Sequence, residues 1–134
     1  DRPLLSLSVG TQSIGVRYKF TSDSALVESA KEIAALGSDT LKIALTPTYA
    51  KDYLIKRDEN IRSLMDLLRA QPDFEKVMDM PFRNIMLWVY PFSDKKTAFK
   101  KGEIGEAEAE NIYREIYDLT AHLLRRYSGS GKTF

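Results

Sequence analysis

Residues 40–46 read TLKIALT, and the alternation of apolar and polar side chains in this stretch decides the fold class. One side of an extended chain carries Leu41, Ile43 and Leu45. The other side carries the residues between them, including Lys42. A strand that is buried on both faces usually reads as a continuous apolar run instead. We therefore expect a strand with one face on the core and one face left polar.

Two further stretches predict strands of the same kind. Residues 14–20 (IGVRYKF) and 85–90 (IMLWVY) are rich in β-branched and aromatic side chains, and helix-starting or strand-ending residues follow them. Together the non-core faces of the three predicted strands carry Arg17, Lys19, Lys42, Thr46, Trp88 and Tyr90. The sequence thus predicts one basic and aromatic surface that is shared by three strands.

Helical patterns separate these strands. We expect a helix over 22–36 that ends at Gly37, a helix that follows the connection 48–59 and ends at Pro72, and a short helical turn at 74–77. The apolar spacing over 105–127 predicts a long helix, entered through a polar loop that contains Lys95, Lys96 and Lys100. Strands that alternate with helices predict parallel pairing in chain order through right-handed crossovers.

Strands with one polar face favour a barrel over an open doubly wound sheet. In a parallel (β/α)8 TIM barrel the aliphatic faces meet the outer helices and the other faces point inward. The predicted fold class is therefore α/β, with parallel βα units that form roughly half of such a barrel. Residues 1–134 are expected to be one partial domain, with a flexible loop at 128–132 and the start of a fourth strand at Lys132. The alternative is a small sheet with one solvated face.

Composition is typical of a single globular domain and argues against several kinds of partner and site. The 134 residues have the size of one domain, with 43% hydrophobic and 29% charged residues. A net charge of +1 without a basic cluster does not favour nucleic acid as a partner. The absence of cysteine excludes disulfides and thiolate metal sites, and no apolar run approaches the ~20 residues that cross a membrane. A start at Asp1 is compatible with removal of a secretion signal and predicts a secreted or periplasmic protein.

Two apparent motifs do not predict a phosphate-binding, metal or catalytic site. The tail YSGSGKTF ends like a phosphate-binding loop, but Arg126 stands where the first glycine of that motif belongs, and the tail follows a helix instead of a strand. His122 is the only histidine, so neither a histidine metal cluster nor a serine triad can be assembled. We expect His122 on a helix surface, Asp23 at a helix start, and no metal or cofactor. Asp52, Asp58 and Asp94 are expected in solvent.

Aromatic residues at or after strand ends are the candidate binding residues: Tyr49, Tyr53, Trp88, Tyr90 and Phe92. Such rings stack on the C–H faces of sugars, while flanking basic side chains bind hydroxyl groups. Packing in the core is the competing interpretation. Tyr18, Phe20 and Phe74 are assigned to the core outright.

Three segments carry a resemblance to a known family: SIGVRYKFTSD (13–23), LGSDTLKIALTPTYAKDY (36–53) and RRYSGSGKTF (125–134). Together they resemble the amino-terminal half of bacterial glycoside-hydrolase-like TIM-barrel proteins, which are generally exported. In that family the glycine-rich linker leads into strand four, and the acid/base glutamate commonly lies at the end of that strand. The resemblance implies a carbohydrate-active parent, and Phe134 precedes any such glutamate.

The resemblance and the residues together predict a site without catalysis. Glycoside hydrolysis needs two carboxyl groups, and no inward strand position predicted here is acidic. We expect an oligosaccharide to bind through Arg17, Lys19, Lys42, Tyr49, Trp88 and Tyr90. The chain by itself is expected to lack glycosidase activity and to self-associate through strand edges or its open inner face, unless the rest of the barrel completes it. A non-catalytic structural or interaction module is the alternative.

Overall fold

The computed structural model describes residues 8–94 and 101–134, and these form a mixed α/β fold around a three-stranded parallel sheet. In chain order the elements are β1 (Gly10–Ser13), α1 (Ala25–Ala35), β2 (Thr40–Leu45), α2 (Tyr49–Tyr53), α3 (Leu64–Ala70), α4 (Asp73–Met78), β3 (Asn84–Val89) and α5 (Glu106–Tyr127). The strand order β1-β2-β3 confirms the predicted parallel pairing. Asp1 and the predicted loop at Lys95, Lys96 and Lys100 lie outside the described residues.

The apolar sides of β2 and β3 form the centre of the core. Their register pairs Leu41 with Ile85, Ile43 with Leu87 and Leu45 with Val89, so the aliphatic side chains meet on one face. Residues of α1, α3, α4 and α5 join the same buried cluster. In particular, Phe74 is fully buried, as predicted. The helices therefore cover one face of the sheet.

The position of the first strand differs from the sequence prediction. β1 covers Gly10–Ser13, and residues 14–20 form the loop that follows it. Gly15 has a φ of +71°, which is not an extended conformation, and the Tyr53 hydroxyl stands between the Ser13 carbonyl and the Ala44 amide, where β1 ends. These tertiary features override the local strand propensity of the segment.

The loop after β1 exposes the side chains of residues 17–20, which were expected on its strand faces, whereas Val16 packs against the core. Tyr18 and Phe20, predicted to be core residues, are both exposed, so that prediction is wrong. Arg17 and Lys19 are exposed too, and neither lies on a strand. The loop backbone is nevertheless anchored, because the amide of Phe20 donates to both carboxylate oxygens of Glu28 in α1 at 3.0 Å.

The first helix begins later than the predicted residue 22. Ser24 is its N-cap, with a side-chain oxygen that accepts from the amide of Val27 at 3.3 Å, as expected for a serine at this position. Asp23 precedes the cap and forms a salt bridge with Lys31 at 2.5 Å. This bond from Lys31 lowers the pKa of Asp23 below its usual value.

Polar contacts fix the long helix α5 against α4. Arg126 binds Asp79 at 2.8 Å, and the Tyr127 hydroxyl donates to the same carboxylate at 2.8 Å. His122 lies 2.5 Å from Glu75 and is partly buried, so it sits at the edge of the helix interface. Burial, together with the contact to Asp79, raises the pKa of Tyr127 to about 12. These bonds give His122 and its neighbours a structural role.

The tail makes a single parallel bridge with β3, where the sequence predicts the start of a fourth strand. Thr133 pairs in parallel with Asn84, and its carbonyl accepts from the amide of Ile85 at 2.8 Å. The Lys132 ammonium donates to the carbonyls of Met80 and Phe82, and burial lowers its pKa. The amine that a phosphate loop would use is therefore occupied by backbone oxygens.

Candidate functional site

The face of the sheet opposite the helices carries the exposed tryptophan. In the register of β2 and β3, Lys42 lies beside Met86 and Ala44 beside Trp88. Met86 is 56% and Trp88 52% exposed, whereas Ala44 is buried. The Lys42 Nζ lies 5.3 Å from the centroid of the Trp88 ring. We refer to the surface formed by Lys42, Met86 and Trp88 as the open face.

This arrangement follows directly from the sequence. Successive side chains of a strand alternate between faces, so the in-register pairing of β2 and β3 brings Lys42 and Trp88 to one side. That part of the prediction is confirmed. An ammonium group within about 6 Å of an indole face is attracted by the ring quadrupole, which favours a defined orientation for both side chains. Single exposed apolar side chains are ordinary on a protein surface, whereas contiguous apolar patches mark binding surfaces, and Met86 and Trp88 share one face of β3 two residues apart.

A cluster of hydroxyl groups and one carboxylate follows the end of β2. The Thr48 hydroxyl donates to Asp52 at 2.7 Å, and Thr46 lies 2.7 Å from Thr48 and 3.3 Å from the same carboxylate. The Asp52 carbonyl accepts from the amide of Val16 at 2.9 Å and so ties the loop after β1 to α2. Asp52 was expected in solvent, but it is partly buried and organises this end of the sheet.

Arg17 and Lys19 lie in the same loop, beyond the end of β1, and not beside Lys42 on the sheet. Their predicted place on a strand face is therefore wrong, because β1 ends at Ser13. The loop belongs to the carboxyl-terminal side of the strands, where parallel α/β folds bind their ligands. Both basic side chains remain available to solvent there.

Two of the candidate aromatics belong to the core. Tyr49 is buried, and its hydroxyl bonds both the amide and the carbonyl of Asp58. Tyr53 is also buried, and its hydroxyl accepts from Ala44 at 2.7 Å and donates to Ser13 at 2.8 Å. Burial raises the pKa of Tyr53 well above its usual value. Neither ring can stack on a ligand, so for these residues the core interpretation holds.

Tyr90 and Phe92 lie just past the end of β3 and are partly buried. The amide of Tyr90 extends the ladder by donating to the Leu45 carbonyl at 3.0 Å, and the Phe92 ring lies 6.5 Å from that of Tyr49. Phe92 therefore belongs to the core rim. Tyr90 retains a partly exposed side chain next to the open face.

The sequence reasoning missed Glu115, a buried carboxylate on α5. It accepts hydrogen bonds from the amides of Leu64 at 3.1 Å, Phe92 at 3.0 Å and Ser93 at 2.7 Å, and from the Ser93 hydroxyl. Glu115 thereby joins the start of α3 to the loop after β3. Its position within the apolar stripe of α5, four residues before Leu119, was the signal that could have identified it.

The open face offers an ammonium group and exposed apolar side chains that can contact a ligand. The open-face strands β2 and β3 carry no aspartate or glutamate. Across residues 8–94 and 101–134 there is no group of three potential metal ligands, and no helix in those ranges is long and apolar enough to cross a membrane. A groove of about 700 Å³ lies apart from the open face and is lined by Glu59, Ile61, Arg62, Phe92, Ser93, Glu108 and Asn111.

In comparisons with known proteins, no family model, no curated protein and no solved structure matches this chain.

Proposed function

We propose that the chain is a carbohydrate-binding part of a glycoside-hydrolase-like (β/α)8 barrel, and that it forms about half of that barrel. The observation that carries the proposal is the exposed Trp88 ring with the Lys42 ammonium beside it on the helix-free face of a parallel sheet. A sugar ring presents C–H groups that pack on an indole, and its hydroxyl groups accept hydrogen bonds from an ammonium.

Further groups suit the same ligand. Tyr90 lies just past the end of β3, two residues after Trp88, and Arg17 and Lys19 lie in the loop after β1, at the carboxyl-terminal side of the strands. An apolar platform with a few polar anchors is the usual composition of a small-molecule site. Secretion stays a prediction of the sequence.

Catalysis is not part of the proposal. A glycosidase places two carboxyl groups about 5–9.5 Å apart across the scissile bond. The one carboxylate placed at the end of β2, Asp52, is already engaged by the hydroxyl groups of Thr46 and Thr48. We expect no turnover of aryl glycosides by this chain.

Calorimetric titration with a panel of neutral oligosaccharides tests the proposal. We expect at least one ligand to bind, and Trp88→Ala to abolish its heat, while Leu36→Ala, which removes an exposed apolar side chain at the end of α1, leaves the heat unchanged. Equal binding by the wild type and Trp88→Ala would contradict the assigned surface. No binding by the whole panel would favour the alternative, a non-catalytic interaction module.

A second arm locates the ligand. If amide chemical shifts on titration change at Phe92, Ser93 and Asn111 but not at Lys42 and Trp88, the site is the groove between residues 59–62 and the start of α5, and the open face is wrongly assigned.

A further inference from the structure

Helix α5 carries a second apolar stripe beside the one that it buries. The buried stripe contains Leu119, Leu123 and Tyr127. The exposed stripe consists of Tyr113, Ile116, Tyr117, Thr120 and Leu124, and we call it the α5 stripe. Three of its members are more than half exposed: Tyr113 at 63%, Tyr117 at 59% and Leu124 at 69%.

The members of the α5 stripe are three or four residues apart, so they share one side of the helix. From position 113 to 124 the stripe is about 17 Å long at 1.5 Å per residue. The Tyr113 and Tyr117 rings already pack together at 6.0 Å, and the Thr120 hydroxyl donates to the Ile116 carbonyl at 2.8 Å. The polar atom of Thr120 is thereby satisfied within the helix, and its methyl group is left to the stripe.

Charge along α5 is polarised. The first turns contain Glu106, Glu108 and Glu110, and the last turn contains Arg125 and Arg126. Arg126 is engaged by Asp79 and Glu110 by Arg114 of their own chain, whereas Arg125 and Glu106 are exposed. An antiparallel neighbour of the same sequence brings the acidic start of one helix beside the basic end of the other. A parallel neighbour would place acidic residues beside acidic residues.

We propose that the α5 stripe is a dimer interface, in which α5 packs antiparallel against α5 of a second copy about a twofold axis near Tyr117 and Thr120. A twofold interface uses the same patch on both subunits, and this helix is self-complementary in apolar surface and in charge. Self-association was expected at strand edges or on the inner face of the sheet. This interface instead leaves the open face free for a ligand.

Light scattering coupled to gel filtration at high micromolar concentration tests the interface. We expect twice the monomer mass of 15.3 kDa for the wild type and the monomer mass for Leu124→Glu. The matched control is Leu36→Glu, which adds the same charge at an 84% exposed leucine at the end of α1 and should remain dimeric. Circular dichroism establishes that both variants are folded. A monomeric wild type, or identical masses for both variants, overturns the proposal.

Cross-linking tests the orientation of the helices. The chain has no cysteine, so a single introduced thiol reports one position without background. We expect a short bismaleimide to join two copies of Thr120→Cys efficiently and two copies of Glu106→Cys only at background level, because an antiparallel pair centred between Tyr117 and Thr120 holds the two 106 positions about 37 Å apart. A parallel pair would join both variants. Arg125→Glu should weaken the dimer. Equal cross-linking of the two thiol variants, or a dimer unaffected by Arg125→Glu, contradicts an antiparallel α5 pair.

Discussion

The two faces of the sheet differ in how deeply their side chains are buried, although these side chains alternate along the same strands. Leu41, Ile43 and Leu45 of β2 are fully buried beneath the helices. Met86 and Trp88 of β3 are more than half exposed on the other side. On the helix-covered face the choice of residue is explained by packing alone. On the open face two large apolar side chains gain little from folding, so packing within the described residues does not explain their presence, and the proposed ligand would cover them.

The largest expected effect is a loss of stability on the helix-covered face of the sheet. Ile43→Ala removes a fully buried side chain and should lower the free energy of unfolding by about 2–5 kcal/mol. Met86→Ala, on the open face, should change it by less than about 1 kcal/mol, because the side chain is already more than half in water. Urea denaturation measures both values. Equal losses would mean that the open face is covered.

The next effect on stability concerns Glu115, whose hydrogen bonds join α5 to the start of α3 and to the loop after β3. Glu115→Gln keeps the size of the side chain but turns an amide group toward the donors at Ser93. We expect a loss of about 2–3 kcal/mol, since a buried donor without an acceptor is costly. Asp118→Asn, at an exposed carboxylate of the same helix, is the control and should be close to neutral. A neutral Glu115→Gln would show that the network does not hold the loop.

A smaller loss of stability is expected at the end of β1. Tyr53→Phe removes the hydroxyl that joins Ser13 to Ala44 and should destabilise the chain by about 1–2 kcal/mol. The control is Tyr18→Phe, in which the lost hydroxyl belongs to an exposed ring. Should β1 and β2 simply close the gap and pair directly, the Tyr53 variant would be as stable as the wild type, and our account of why β1 ends there would fail.

The smallest effect is local and depends on pH. Hydrogen bonds from Thr21 and from the amide of Phe20 lower the pKa of Glu28 below its usual 4.5. Since the folded-state pKa is the lower one, the anchoring of the loop is complete above pH 4.5 and is lost as the pH falls through the folded-state value. The protection factor of the Phe20 amide, which compares its exchange rate with that of an unprotected amide at the same pH, should fall in that range, and Glu28→Gln should show the low protection at neutral pH. Glu32→Gln should behave like the wild type.

Period-two alternation predicted β2 and β3 closely, because the burial of one face imposes that pattern on the sequence. It also brought Lys42 and Trp88 together correctly. The same reasoning placed the first strand at residues 14–20, since β-branched and aromatic residues are frequent there. What ends β1 earlier is a contact from Tyr53, forty residues away along the chain, together with the turn at Gly15. Local propensity contains neither of these influences.

For a similar reason, the sequence predicted the positions of some candidate site residues and not of others. Trp88 could be predicted because strand parity fixes its face. Tyr49 and Tyr53 could not be separated from it by sequence, since their burial depends on how α2 folds back onto the strand ends. Glu115 was overlooked because a single acid in an apolar stripe acquires its meaning only when the donors of α3 and of the loop after β3 are in place.

The central claim, that the open face binds carbohydrate, is tested most directly by tryptophan fluorescence. Trp88 is the only tryptophan in the chain, so its emission reports this surface alone. On titration with an oligosaccharide that binds by calorimetry, we predict a saturable change in Trp88 emission with the same affinity, and a weaker affinity for Lys42→Met. Calorimetric binding that leaves Trp88 emission and its quenching by iodide unchanged would contradict the claim.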